Sequence, residues 1–87
     1  MTYRVEYSNK AAKQLDKLNP SIRKMILLWV EKNLQGCDNP RAHGKGLTSN
    51  RSGQWRYRVG DFRLICEIID NRLIILVLTI GDRKSIY

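Results

Sequence analysis

Gln54-Trp55-Arg56-Tyr57-Arg58-Val59-Gly60-Asp61-Phe62-Arg63-Leu64-Ile65-Cys66-Glu67-Ile68-Ile69 is the stretch whose reading decides the fold. Aromatic and β-branched residues alternate with arginine on one side of Gly60-Asp61, and an apolar strand pattern resumes on the other. Gly60-Asp61 has the chemistry of a two-residue hairpin turn. Such a turn pairs Val59 with Phe62, Arg58 with Arg63 and Tyr57 with Leu64, and opposite residues point to the same side. Trp55, Tyr57, Val59, Phe62, Leu64, Cys66 and Ile68 then form a core-facing surface. Arg56, Arg58 and Arg63 converge on the other face.

Upstream, Thr2–Tyr7 alternates as a first strand. Ser8 is a good N-cap, and Ala11, Leu15 and Leu18 recur at helical spacing between Lys10, Lys13, Asp16 and Lys17. Asn19-Pro20 supplies a second cap with proline at the first helical position. From there Ile22, Met25, Ile26, Trp29, Val30 and Leu34 make a broad apolar face that ends at Gly36. Residues 36–53, rich in Gly, Asn, Asp and Ser, read as one long loop of a kind that usually serves function. Downstream of the hairpin, Asp70-Asn71 is a second candidate two-residue turn. Arg72–Ile80 is apolar on both faces, as a central strand would be. The order β-α-α-β-β-β predicts an α+β domain, a mainly antiparallel sheet packed against a two-helix hairpin.

The chain has 87 residues and carries 16 basic against 8 acidic side chains, for a net charge of +8. That length holds one domain, 1–87, and leaves no room for a second core. Composition at 43% hydrophobic and 28% charged is too apolar for a disordered basic tail. No run approaches the roughly 18 apolar residues of a membrane span. The start, Met1–Glu6, lacks the layout of a signal peptide, so a cytoplasmic protein with no membrane partner is expected. Cys37 and Cys66 sit in unrelated contexts with a single histidine in the chain, so reduced thiols, no metal and no cofactor are expected, with Cys66 in the core. Residues 36–60 hold five basic side chains and one acidic, a surplus that attracts a polyanion or an acidic protein.

Like charges directly opposite one another destabilise a sheet, so the arginine face needs an explanation. One is structural: Arg58 splays outward and Arg63 pairs with Glu67. The other is an anion site, most naturally for phosphate, which arginine forks bind bidentately. Trp55 and Tyr57 fall on the core side and read as packing rather than base stacking. His43, in the Gly-rich run His43-Gly44-Lys45-Gly46, reads as a solvated loop residue.

Thr2–Tyr7, the A-x-K-x-L-x-K-L helix from Ala11 to Leu18, Lys45-Gly46-Leu47, Trp55–Ile65 and the closing I-G-D-R-K-S-I-Y together resemble the RelE branch of the RelE/ParE toxin superfamily. The resemblance covers nearly the whole chain and implies a microbial-ribonuclease-like fold. It implies a ribosome-dependent mRNA endonuclease, the toxin half of a type II toxin–antitoxin pair, held in a hetero-oligomer by an acidic RelB-like antitoxin. Cleavage in this family needs no metal. The 2′-hydroxyl attacks the adjacent phosphate, leaving a 2′,3′-cyclic phosphate and a 5′-hydroxyl. Carried over by position, the catalytic residues are Arg63, Arg83 and Tyr87, and the RNA and phosphate contacts are Lys45, Arg56 and Arg58. Two rivals are a ParE-like toxin that poisons DNA gyrase by binding, and a nucleic-acid-binding module without catalysis.

Overall fold

The computed structural model describes residues 1–46 and 54–82. In chain order these form β1 (Arg4–Tyr7), α1 (Asn9–Lys17), α2 (Pro20–Asn33), a 3₁₀ turn at Pro40–Ala42, and β2 (Lys45–Gly46). After them come β3 (Gln54–Val59), β4 (Phe62–Ile69), a second 3₁₀ turn at Asp70–Arg72, and β5 (Ile74–Asp82). The sheet order is β1-β5-β4-β3-β2, with β1 parallel to β5 and every other pair antiparallel. The α+β reading therefore holds, with one more strand than the sequence pattern predicts.

The helices start where their caps dictate. The Ser8 hydroxyl accepts from the Ala11 amide at 3.0 Å and donates to the Leu78 carbonyl, so one side chain caps α1 and moors it to β5. Asn19 caps α2 by accepting from Ser21, and Pro20 opens the helix without forfeiting a backbone donor. Gly36, with φ 77°, provides the left-handed residue just past the end of α2.

Both helices cover one face of the sheet. Tyr57, Val59, Leu64, Cys66, Ile75, Val77 and Ile80 of the strands join Ala11, Leu15, Ile26, Val30 and Leu34 of the helices in a single core. The hairpin register is the expected one, Val59 on Phe62, Arg58 on Arg63 and Tyr57 on Leu64. Gly60 takes φ 60° and Asp61 a negative φ, the pattern of a type II′ turn. Burial of Cys66 pushes its thiol well above the ordinary range, as expected of a core thiol.

Four local expectations change. Asp70-Asn71 is not a two-residue turn: Ile69 pairs with Ile74, and a four-residue connection passes through the 3₁₀ turn to Leu73 in a left-handed conformation at φ 54°. The last strand consequently starts at Ile74 rather than Arg72 and runs to Asp82. β1 begins at Arg4 rather than Thr2, because Tyr3 bonds to Gly36 and Cys37 at the exit of α2 instead. Finally, α2 leaves Met25, Leu27 and Leu28 exposed at 40%, 40% and 58%, so Met25 belongs to the edge of the core and not its interior.

Tyr57 is the largest fully buried side chain, and its hydroxyl donates to the Pro40 carbonyl at 2.6 Å. Tyr57→Phe keeps the ring and strands a buried acceptor. It should lower the unfolding free energy by about 1–3 kcal/mol, read by urea denaturation, without altering the fold.

Candidate functional site

The face of the sheet opposite the helices carries the cations. Arg58 stands directly across from Arg63, and Arg63 in turn faces Gly81 of β5. One rung along, Lys45 is paired with Arg56, Arg56 with Ile65 and Ile65 with Thr79. Paired residues project to one side, so Lys45, Arg56, Arg58 and Arg63 share a surface. Arg58 is exposed, Arg56 and Arg63 are half-buried, and Ile65 between them is buried. Arg58 Nε donates to the turn carbonyl of Gly60 in a long 3.4 Å bond. Glu67, on the same face beyond Ile65, bounds the patch on the β4 side.

A strap over residues 39–46 supplies Lys45, and a series of bonds holds it down. Asn39 caps the 3₁₀ turn by accepting from the Arg41 amide. Arg41 grips Asp70 with both guanidinium nitrogens, at 3.0 and 2.9 Å, and the Tyr3 hydroxyl donates to the same carboxylate at 2.6 Å. The Arg41 fork, aided by Tyr3, holds the Asp70 carboxyl at a pKa of about 2. The same bond raises the Tyr3 hydroxyl. Tyr57 takes the Pro40 carbonyl, and the Trp55 indole donates to the His43 carbonyl at 2.7 Å. His43 is exposed, as a solvated loop residue should be, with its ring edge-on to Trp29 at 5.9 Å, and its carbonyl serves the strap. Trp55 and Tyr57 are packing residues, as their alternation implies, and their polar atoms do a second job as anchors.

Of the six sequence-predicted site residues, Lys45, Arg56, Arg58 and Arg63 are brought together. Arg83 and Tyr87 lie outside the described residues. Sequence reasoning found Lys45 but placed it in a loop. The strand pairing that puts it opposite Arg56 has no periodic signal, because β2 is two residues long. Tyr3, Arg41 and Asp70 went unnoticed for a similar reason: they meet from three distant parts of the chain.

The chain matches the family described as "ParE toxin of type II toxin-antitoxin system, parDE" over residues 5–87. This chain belongs to the RelE/ParE superfamily of toxins. It is 31% identical over 85 residues to a RelE-like toxin protein of Escherichia coli, covering 97% of this chain and 86% of that one. Toxin RelG of Mycobacterium tuberculosis H37Rv is 29% identical over 87 residues, 100% of this chain and 98% of that one. Among solved structures, the M. tuberculosis RelBE2 toxin–antitoxin complex superposes with a TM-score of 0.86 at 26% identity, over 95% of this chain and 100% of that one. The RelE-like kinship and the two-helix, five-strand architecture agree, and this is a RelE-like toxin of the type II class.

Two outcomes check the electrostatics of the toxin's sheet. Arg58→Thr relieves the repulsion across the rung from Arg63 and should leave stability unchanged or raise it by up to ~1 kcal/mol; a clear loss in thermal melting would give Arg58 a structural role. Asp70→Asn should melt at lower temperature than wild type at neutral pH. Because the folded carboxyl titrates below its ordinary 3.8, the stabilisation is present above that value, and the gap should close as pH falls through 4 towards 2.

Proposed function

We propose that this toxin is a metal-independent, ribosome-dependent mRNA endonuclease that halts translation until a cognate antitoxin binds it. The observation that carries the reading is the Arg58–Arg63 rung, two arginines opposed on one sheet face with Arg56 and Lys45 beside them. Opposed arginines concentrate positive charge on one rung, and an RNA phosphate can take a guanidinium on each side of it. The underlying sheet, packed on the helices, gives the patch the rigidity that electrostatic stabilisation of a transition state requires.

The chemistry follows from the charge that develops. The substrate's own 2′-oxygen forms a bond to phosphorus and the P–O5′ bond breaks, giving a 2′,3′-cyclic phosphate and a 5′-hydroxyl. Arg56, Arg58 and Arg63 hold the phosphate and stabilise its growing negative charge. By resemblance, Tyr87 takes the proton from the 2′-hydroxyl, and Arg83 stabilises or protonates the departing oxygen. An ordinary tyrosine, with pKa about 10, is a weak base at neutral pH, and neighbouring cations favour the phenolate.

The net charge of +8 suits both partners in this scheme, the ribosome with its mRNA and an acidic RelB-like antitoxin, in the cytoplasm where they meet. Leu27 and Leu28, exposed on α2, add apolar surface of the kind a protein partner covers.

The test is to induce the toxin and map mRNA 5′ ends, comparing wild type with Arg63→Ala, Arg83→Ala and Tyr87→Phe. Codon-phased cleavage should appear with wild type and fall by at least tenfold in each variant. Intact mRNA with stalled gyrase–DNA breaks would overturn the nuclease reading in favour of a gyrase poison.

A further inference from the structure

β5 carries one residue more than its partner strand. Its pairing with β4 runs Asp82 on Phe62, Gly81 on Arg63, Ile80 on Leu64 and Thr79 on Ile65, then resumes with Val77 on Cys66, which leaves Leu78 without an opposite residue. Such a β-bulge inverts the alternation of the strand beyond it. Ile75 and Val77 enter the core before the bulge, and Ile80 enters it afterwards. An unbroken register from Val77 would instead set Ile80 opposite Arg63 and carry Leu78, Ile80 and Asp82 together onto the cation face. With the bulge, that face receives Thr79 and Gly81, and Asp82 pairs with Phe62 on the helix side.

The side chains that hold the bulge come from α1. Successive carbonyls of a regular strand point to opposite edges, yet Ser8 binds two in a row. Its amide donates to the Val77 carbonyl at 2.9 Å and its hydroxyl to the Leu78 carbonyl at 3.0 Å. Gln14, on the side of α1 that buries Ala11 and Leu15, accepts from the Ile80 amide with Oε1 at 2.7 Å. β1 ends at Tyr7, opposite Val77, and from there Ser8 and Gln14 bond the edge of β5 in place of a strand. A bulge leaves backbone groups out of the ladder, and these two side chains satisfy them.

We propose, resting on the reading of the cation face as an RNA site, that Ser8 and Gln14 are positioning residues: by fixing the bulge at Leu78 they place Gly81, and neither Ile80 nor Asp82, beside Arg63. Ile80 would crowd the guanidinium with a branched side chain. Asp82 would bring a carboxylate to the face where a phosphate binds. Glycine adds neither bulk nor charge. Ser8 and Gln14 touch no RNA in this scheme and act only through the path of β5.

Substitutions at Ser8 separate this role from helix capping. Ser8→Asp keeps an acceptor for the Ala11 amide and sets a second acceptor against the Leu78 carbonyl, whereas Ser8→Thr keeps both bonds. Gln14→Leu removes the acceptor for Ile80, and Gln14→Glu retains one. Placement is read by cross-strand NOEs from Leu64 to Ile80. Binding is read by fluorescence anisotropy with a 2′-O-methyl hexanucleotide, which cannot be cleaved by 2′-attack. The double variant Ser8→Asp/Gln14→Leu should lose the Leu64–Ile80 NOE and bind about fivefold more weakly, while Ser8→Thr/Gln14→Glu should match wild type. Asp82→Asn should return most of that loss in the double variant, yet change wild-type affinity by less than about twofold. Deletion of Leu78 leaves a regular strand with the same residues on each face, so it should preserve binding and make Ser8→Asp harmless.

Should the double variant fail to fold, Ser8→Asp and Gln14→Leu taken singly carry the same expectations at smaller size. Retention of both the NOE and the affinity overturns the positioning role. So does a loss of affinity that Asp82→Asn leaves untouched, or a cost of Ser8→Asp that persists undiminished once Leu78 is deleted, since a general loss of stability would behave that way. A wild type that binds no hexanucleotide overturns the RNA reading instead, and the NOE still decides the placement.

Discussion

Everything in this molecule depends on the register of one hairpin. The Gly60-Asp61 turn sets Arg58 against Arg63, and because side chains alternate along a strand, that single choice sorts twelve paired residues between two faces. A slip of β3 by one residue would send Tyr57 into solvent and turn Arg56 and Arg58 towards the core. The register that builds the core therefore also builds the cation surface. Neither can shift without the other.

The arrangement sets stability against function on the same strands. The core face gathers a fully buried tyrosine and a row of aliphatic residues against two helices. The outer face sets two arginines opposite one another. Ordinary packing on one side supports a concentration of charge on the other, a division seen where a site must carry charge in a fixed geometry. The strap that carries Lys45 is an extension of this plan. Its anchors are the polar tips of core aromatics, so residues that stabilise the hairpin also hold down the segment that carries Lys45.

Legibility in the sequence followed periodicity. The two helices, their caps and the β3–β4 hairpin were readable because each is local and repeats at its own period. The turn after Ile69 misled because its geometry depends on partners far away: Asp70 is held by Arg41 and Tyr3, and Leu73 takes a left-handed conformation for which leucine gives no signal. β2 was invisible for a related reason, since two residues carry no pattern. Of the candidate site, the three strand arginines were legible down to their pairing. Lys45 was recognised as a cation of interest, and its pairing with Arg56 was not.

The sequence by itself determined the α+β class, the hairpin register, the split between core and cation faces, and kinship with RelE-like toxins. Each of these follows from short-range alternation, capping and turn chemistry, or from motifs read in order. Tertiary structure alone decided that β1 runs parallel to β5 at the sheet edge, and that a strap pinned by Asp70, Tyr57 and Trp55 adds Lys45 to the arginine surface. Those outcomes rest on pairings and hydrogen bonds between residues 12 to 70 positions apart. Such bonds form only once the chain has collapsed, and no local pattern encodes them.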